Sequence, residues 1–220
     1  MNYVSFFDAL RFANWMNNGQ GSSDTETGAY TLLGATPTPS NGDTVARNAG
    51  ASIVLTSEDE WYKAAYYDAS SSSYFDFPAG SNAQTACSSP TAAPNSANCG
   101  PGGPNDLTIV GSYTGSASPY GTLDQGGNVS EWNEAIIVTE GFPRGRRGGQ
   151  FAGGDPTMLG AAFRSQNGPD AESLNLGFRL AMVPEPSTGL LVIAGLLGLS
   201  ARTRFAKFPE HSRGVAPRRA

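Results

Sequence analysis

The chain of 220 residues contains a single histidine, His211, close to its carboxyl terminus. The globular part therefore lacks the side chain that most often serves as general base near neutral pH and as imidazole metal ligand. Ser-His-Asp and Cys-His catalysis are excluded, and so is histidine-ligated iron or zinc. Cysteine is almost as scarce: Cys87 and Cys99 are the whole complement, too few for a four-ligand zinc site. Charge is thin as well, with Asp, Glu, Lys and Arg at 15% against about 25% in an average soluble domain. Disorder driven by charge is excluded. Gly (28) and Pro (15) are abundant but follow no Gly-X-Y period, which rules out collagen and favours short elements joined by long connections.

The formal charge of −5 hides an asymmetry. Arg202, Arg204, Lys207, Arg213, Arg218 and Arg219 lie in the last twenty residues against one acid, Glu210, whereas residues 1–200 carry a net −10. A body so acidic opposes phosphate-backbone binding, and nucleic acid is excluded as a partner. The length suits one domain with an appendage.

Two helices announce themselves. Ser5 and Asp8 form a capping-box pair ahead of Phe6, Phe7, Leu10, Ala13, Trp15 and Met16, and Ser57 with Glu60 forms another ahead of Trp61, Ala64 and Ala65. Ile53-Val54-Leu55 reads as a short buried strand and Tyr30-Thr31-Leu32-Leu33 as another. Residues 69–106 hold serine runs, five prolines and both cysteines, and read as a long loop. Disulfide and unpaired thiols both remain open for Cys87 and Cys99. Arg144, Arg146 and Arg147 read as a basic, solvated turn.

At the carboxyl end, Val183-Pro184-Glu185-Pro186-Ser187-Thr188 precedes an uncharged run, Gly189 to Ala201, which ends at Arg202 and Arg204. Thirteen helical residues span about 20 Å, short of the ~30 Å hydrocarbon core, yet the basic flank suits a cytoplasmic boundary. This order of motif, apolar run and basic stop resembles a PEP-CTERM sorting signal. The resemblance implies recognition of Pro184, Glu185 and Pro186 by an exosortase-type membrane enzyme, a transmembrane helix through residues 189–201 before processing, and display at the cell envelope or surface of a Gram-negative bacterium. Met1-Asn2-Tyr3-Val4-Ser5 does not resemble a signal peptide, so upstream sequence is expected to supply one. The expected organisation is a main domain at 1–182, the sorting signal at 183–204 and a basic tail at 205–220.

A second resemblance rests on Gly127-Asn128-Val129-Ser130-Glu131-Trp132, Arg147-Gly148-Gly149-Gln150-Phe151, Phe163-Arg164, Pro169-Asp170 and Gly177-Phe178-Arg179. Together these blocks resemble the sulfatase-modifying factor family, the formylglycine-generating-enzyme type of domain, from about residue 3 to 182. The resemblance implies an α+β, irregular C-type-lectin-like fold with few helices, short strands and much loop. Active members bind copper through two cysteines just after a Gly-Gly-Ser-aromatic strand. Here that segment, Gly149 to Met158, has no thiol: Gly153 falls at the first cysteine and Pro156–Met158 near the second. Copper is not expected, and no catalytic residues are assigned.

The resemblance also implies a structural calcium ion at Asp124, Gly127, Val129 and Glu131. Carboxylates at the ends and backbone carbonyls between them suit a hard cation. The same residues read otherwise if Asp124 caps a Gly-rich turn and Glu131 is solvated or pairs with an arginine such as Arg179. Both readings stay open. The expectation for function is a pseudoenzyme, an exported binding or surface-structural domain; the alternative is an oxidoreductase of this family with altered chemistry, using Asp155 or Asp170.

Overall fold

The computed structural model describes residues 1–184, apart from 35, 139, 140 and 154. Helix α1 (Phe6–Asn17) begins at the reciprocal cap the sequence encodes, with Ser5 Oγ accepting the Asp8 amide and the Asp8 carboxylate accepting the Ser5 amide. Its apolar stripe, Phe6, Ala9, Leu10 and Ala13, is buried and packs against strand β1 (Ile53–Leu55). Ser57 and Glu60 cap helix α2 (Glu58–Tyr66) in the same way, and three acids occupy its positive end.

A hairpin follows α2 directly: β2 (Tyr67–Asp68) pairs antiparallel with β3 (Ser73–Tyr74). Further on, β4 (Ala86–Cys87) and β5 (Ser96–Ala97) make a short parallel pair beside a Cys87–Cys99 disulfide, with Cα atoms 4.9 Å apart. The expected long loop is therefore pinned by two-residue strands and a covalent bridge.

The main sheet is built from β6 (Ser130–Ile136), β7 (Arg144–Arg147), β8 (Ser165–Asn167) and β9 (Leu176–Phe178), in the order β8-β7-β6-β9. β6 runs antiparallel to β7 and parallel to β9, and β10 (Leu180–Met182) returns to pair with β1. Successive residues of a strand face opposite sides. On one side of β6, Trp132 meets Phe6 of α1 edge-on at 6.1 Å and donates to the Val4 carbonyl. On the other, Glu131 and Asn133 engage Trp61 and Glu58 of α2. Both faces of β6 are covered, so polar residues there must find partners inside the protein. This is the few-helix, short-strand, loop-rich architecture expected.

Two local expectations are corrected. Tyr30–Leu33 forms no strand, only an isolated bridge from Tyr30 to Arg47, because its amides are engaged elsewhere: Tyr30 donates to the Asn14 side chain and Leu32 to the Glu26 carbonyl. Arg144–Arg147 is a strand rather than a solvated turn. Arg144 is 2% exposed, stacks on Phe6 at 4.4 Å and donates to the carbonyls of Glu134 and Gly42, while Arg147 binds Glu58 and the carbonyls of Ala161 and Phe163. Among the described residues no helix is long and apolar enough to cross a membrane. Of the expected sorting signal only Val183 and Pro184 are described: the Val183 amide donates to the Ser52 carbonyl and Pro184 is exposed, while Glu185, Pro186, the apolar run at 189–201 and the basic tail lie outside the described residues.

Candidate functional site

The turn that leads into β6 is held by backbone contacts only glycine permits. Gly127 adopts φ +79°, and a Cβ on it would lie 2.3 Å from the Asn98 carbonyl oxygen, an overlap with backbone that nothing nearby can relieve. Its amide donates to Gly148 and the Asn128 amide to Asn98. Asn128, at φ 60°, then clamps the 106–108 segment: its side chain accepts from the Thr108 amide and donates to the Thr108 carbonyl. The clamp encloses a cavity of about 280 Å³ lined by Leu107, Thr108, Val110, Leu123, Asp124, Asn128, Val129, Glu131, Phe178 and Arg179, with Met1 and Asn2 at its edge.

Three of the four expected calcium positions, Asp124, Val129 and Glu131, line this cavity, and Gly127 lies in the adjoining turn. Glu131 is 5% exposed and fully engaged. Arg179 grips it with Nε–Oε2 at 2.5 Å and Nη2–Oε1 at 2.6 Å, and Trp61 Nε1 donates to Oε2 at 2.6 Å. The same Arg179 nitrogen, Nη2, reaches the carbonyls of Leu123 and Asp124 at 3.3 Å. Asp124 accepts the Gly111 amide at 2.6 Å, and burial pushes its carboxyl above the ordinary aspartate range despite that hydrogen bond and the nearby Arg179. Asp124 and the carbonyls of Gly127 and Val129 are the right donor types for calcium; Glu131 joins them only by releasing Arg179. Among the described residues no group of three or more His, Cys, Asp or Glu side chains is arranged to hold a metal.

None of the described residues of 149–158 lines this cavity. Phe151 is buried, its amide bound to the Asn128 carbonyl, and Gly153, Asp155 and Pro156 edge an open depression with Gln84 and Pro101. Asp155 caps the 3₁₀ turn Pro156–Leu159 through the Thr157 amide, and that hydrogen bond holds its carboxyl below the usual aspartate range. Asp170 accepts the Thr38 hydroxyl at 2.6 Å. Neither carboxylate faces the cavity beside Glu131.

Sequence reasoning reached Asp124, Val129, Glu131 and Arg179 and missed the cavity wall at Leu107, Thr108 and Val110. Those residues carry no local pattern, and the contact that brings them in, from Asn128, spans twenty positions. Trp61 was legible as core but not as a donor to Glu131, seventy positions away.

Residues 1–183 match the sulfatase-modifying factor enzyme 1-like domain. No match was found among curated protein sequences. Among solved structures the chain is similar to variable protein 1 of Treponema denticola (21% identity, TM-score 0.60, covering 84% of this chain and 71% of that one) and to CarF (22%, TM-score 0.62, 84% and 68%). It is also similar to PvdO of Pseudomonas aeruginosa, at 19% identity and TM-score 0.51, over 84% of this chain and 62% of that one. At such identities these likenesses concern the fold alone. The match over residues 1–183, with the Gly-Asn-x-x-Glu-Trp turn and Gly-Phe-Arg strand seated against each other, places the chain in the sulfatase-modifying factor enzyme 1-like family.

Proposed function

We propose that this is a non-catalytic member of its family, an exported domain that binds or organises material at the envelope of a Gram-negative bacterium and is sorted there by an exosortase-type enzyme. The observation that carries the non-catalytic part is the chemistry of residues 149–158. That segment holds no thiol, and the two cysteines the chain does possess are joined to each other in another loop. A copper-thiolate centre needs sulfur ligands that a substrate thiol can displace. The alternative, altered chemistry on Asp155 or Asp170, draws less support, since each carboxylate already serves a local hydrogen bond.

Export and sorting rest on the Pro184-Glu185-Pro186 motif, the apolar run at 189–201 and the basic flank. A calcium ion at Asp124, Gly127, Val129 and Glu131 belongs to the same proposal, with Glu131 exchanging its arginine for the cation. The deciding experiment incubates the full chain, supplied with copper, with a peptide carrying a sulfatase cysteine, and follows aldehyde formation by mass spectrometry. No turnover is expected. Turnover would overturn the non-catalytic reading.

A further inference from the structure

Large aromatic rings left in water are ordinary when scattered; a contiguous set of them calls for an explanation. From α2 outward, Tyr62 touches Tyr74 at 5.3 Å between ring centroids, Tyr74 touches Tyr67 at 4.9 Å, and Tyr67 stacks on Tyr120 at 6.5 Å with ring planes 25° apart. Tyr74 is 51% and Tyr120 48% exposed, while Tyr62 and Tyr67 are half-buried.

Local structure fixes these rings. Tyr67 and Tyr74 sit opposite each other in the β2–β3 hairpin. Tyr120 rides a turn closed by hydrogen bonds between Ser118 and Thr122, and by the Gly121 amide on the Ser118 carbonyl. The inner tyrosine, Tyr66, is a core residue whose hydroxyl donates to the Leu159 carbonyl. The four outer hydroxyls find no protein acceptor among the described residues, so these rings are not held in place by their polar ends.

The rim is polar. Ser70, Ser71, Ser72 and Ser73 are all exposed, two of them bound to Asp68, and Lys63 lies 5.4 Å from the Tyr67 ring centre. Arg147 lies over the Tyr62 ring at 5.0 Å, so the open apolar surface belongs mainly to Tyr74 and Tyr120; such ring surface edged by small hydroxyls suits a ligand that is itself apolar on its faces and hydroxylated at its edges, which describes a pyranose sugar. Charge selects among glycans: with −10 on residues 1–200, a polyanion is repelled. Area argues against a protein partner, because two exposed and two half-buried rings fall well short of the ~800 Å² per side that a stable protein interface requires.

We propose that the Tyr62–Tyr74–Tyr67–Tyr120 ladder is a binding surface for a neutral polysaccharide. It is separate from the cavity beside Glu131 and independent of whether the chain is exported. The test is affinity electrophoresis of the full chain, in a zwitterionic detergent, through gels containing hydroxyethylcellulose, galactomannan or polygalacturonate. Retardation by at least one of the two neutral polymers is expected, and any retardation by polygalacturonate, through the basic tail, should survive Tyr120→Ala. Tyr120→Ala and Tyr74→Ala should each weaken binding about tenfold, the loss of one ring's stacking contribution, and Tyr120→Phe should retain it. Tyr120 meets only Tyr67 among these rings, so Tyr120→Ala decides the matter should Tyr74→Ala fail to fold. The proposal is overturned if neither neutral polymer retards the chain, if Tyr120→Ala abolishes a retardation by polygalacturonate, or if Tyr120→Ala binds the neutral polymers like the parent. Self-association that sedimentation shows to be abolished by Tyr120→Ala would also overturn it, by assigning the ladder to a second copy of the chain.

Discussion

An ion pair as deeply placed as Glu131–Arg179 is costly to break, because desolvation of an unpaired ion costs several kcal/mol. Arg179 supplies the counter-charge and Trp61 a third hydrogen bond. Arg179→Met should therefore lower stability by about 3–5 kcal/mol, by stranding the charge. Adding Glu131→Gln to that variant should recover much of the loss, since glutamine keeps an acceptor for Trp61 and carries no charge. Urea unfolding of the two single variants and the double variant measures the coupling; simple additivity would contradict it. Asp124 behaves in the opposite sense. Burial raises its folded-state pKa above the unfolded value, so its neutral form favours folding below the ordinary aspartate pKa of about 3.9, and that advantage is lost as pH rises through the folded pKa. Asp124→Asn has no such dependence. In EDTA its melting temperature should match the parent at about pH 3 and exceed it at about pH 7. With calcium at neutral pH the proposal of a metal in this loop requires the parent to gain stability and the variant to gain little; an unchanged parent would remove calcium from the account.

The helices show how far a local signal carries. Both caps were readable because donor and acceptor lie three residues apart, and the structure forms both. Ser57→Ala should cost about 1 kcal/mol, seen as a shift in the urea midpoint without a change in slope. Glu60 ties that cap to the rest of the molecule: Arg47 holds it at 2.6 and 2.9 Å, bridges to Glu134, and keeps the Glu60 carboxyl below its usual range. Strands were less legible. β1 could be read from three apolar residues in a row, whereas β2 to β5 are two residues long and too short for any alternation to register. β7 was misread for a different reason. Arginine in sequence signals solvent, but Arg144 and Arg147 donate to carbonyls at positions 42, 134, 161 and 163, which only the folded chain brings near.

Across the molecule the buried apolar residues fall into unequal clusters. The largest joins α1, β1, Trp132 and Leu176. Another, around Ala97, Cys99 and Leu159 with Phe77 and Cys87 packed on it, has only three buried members to hold a long excursion of the chain. A covalent link is most useful where a core is that small. The sequence left Cys87 and Cys99 open between thiols and a bridge, since spacing alone does not show whether two side chains face each other. The fold resolves this by running β4 and β5 side by side, with Gly102 so close that a Cβ there would lie 2.5 Å from the Cys87 carbonyl oxygen. Closing a loop over a separation of twelve residues restricts the unfolded chain by an amount equivalent to about 3 kcal/mol. Reduction, or replacement of both cysteines by serine, should therefore lower the unfolding free energy by about 2–4 kcal/mol. Urea titration with and without a phosphine reductant measures this. The double serine variant should show the lowered value in both conditions. A parent chain equally stable with and without reductant would mean that the second cluster holds its loop without the bridge.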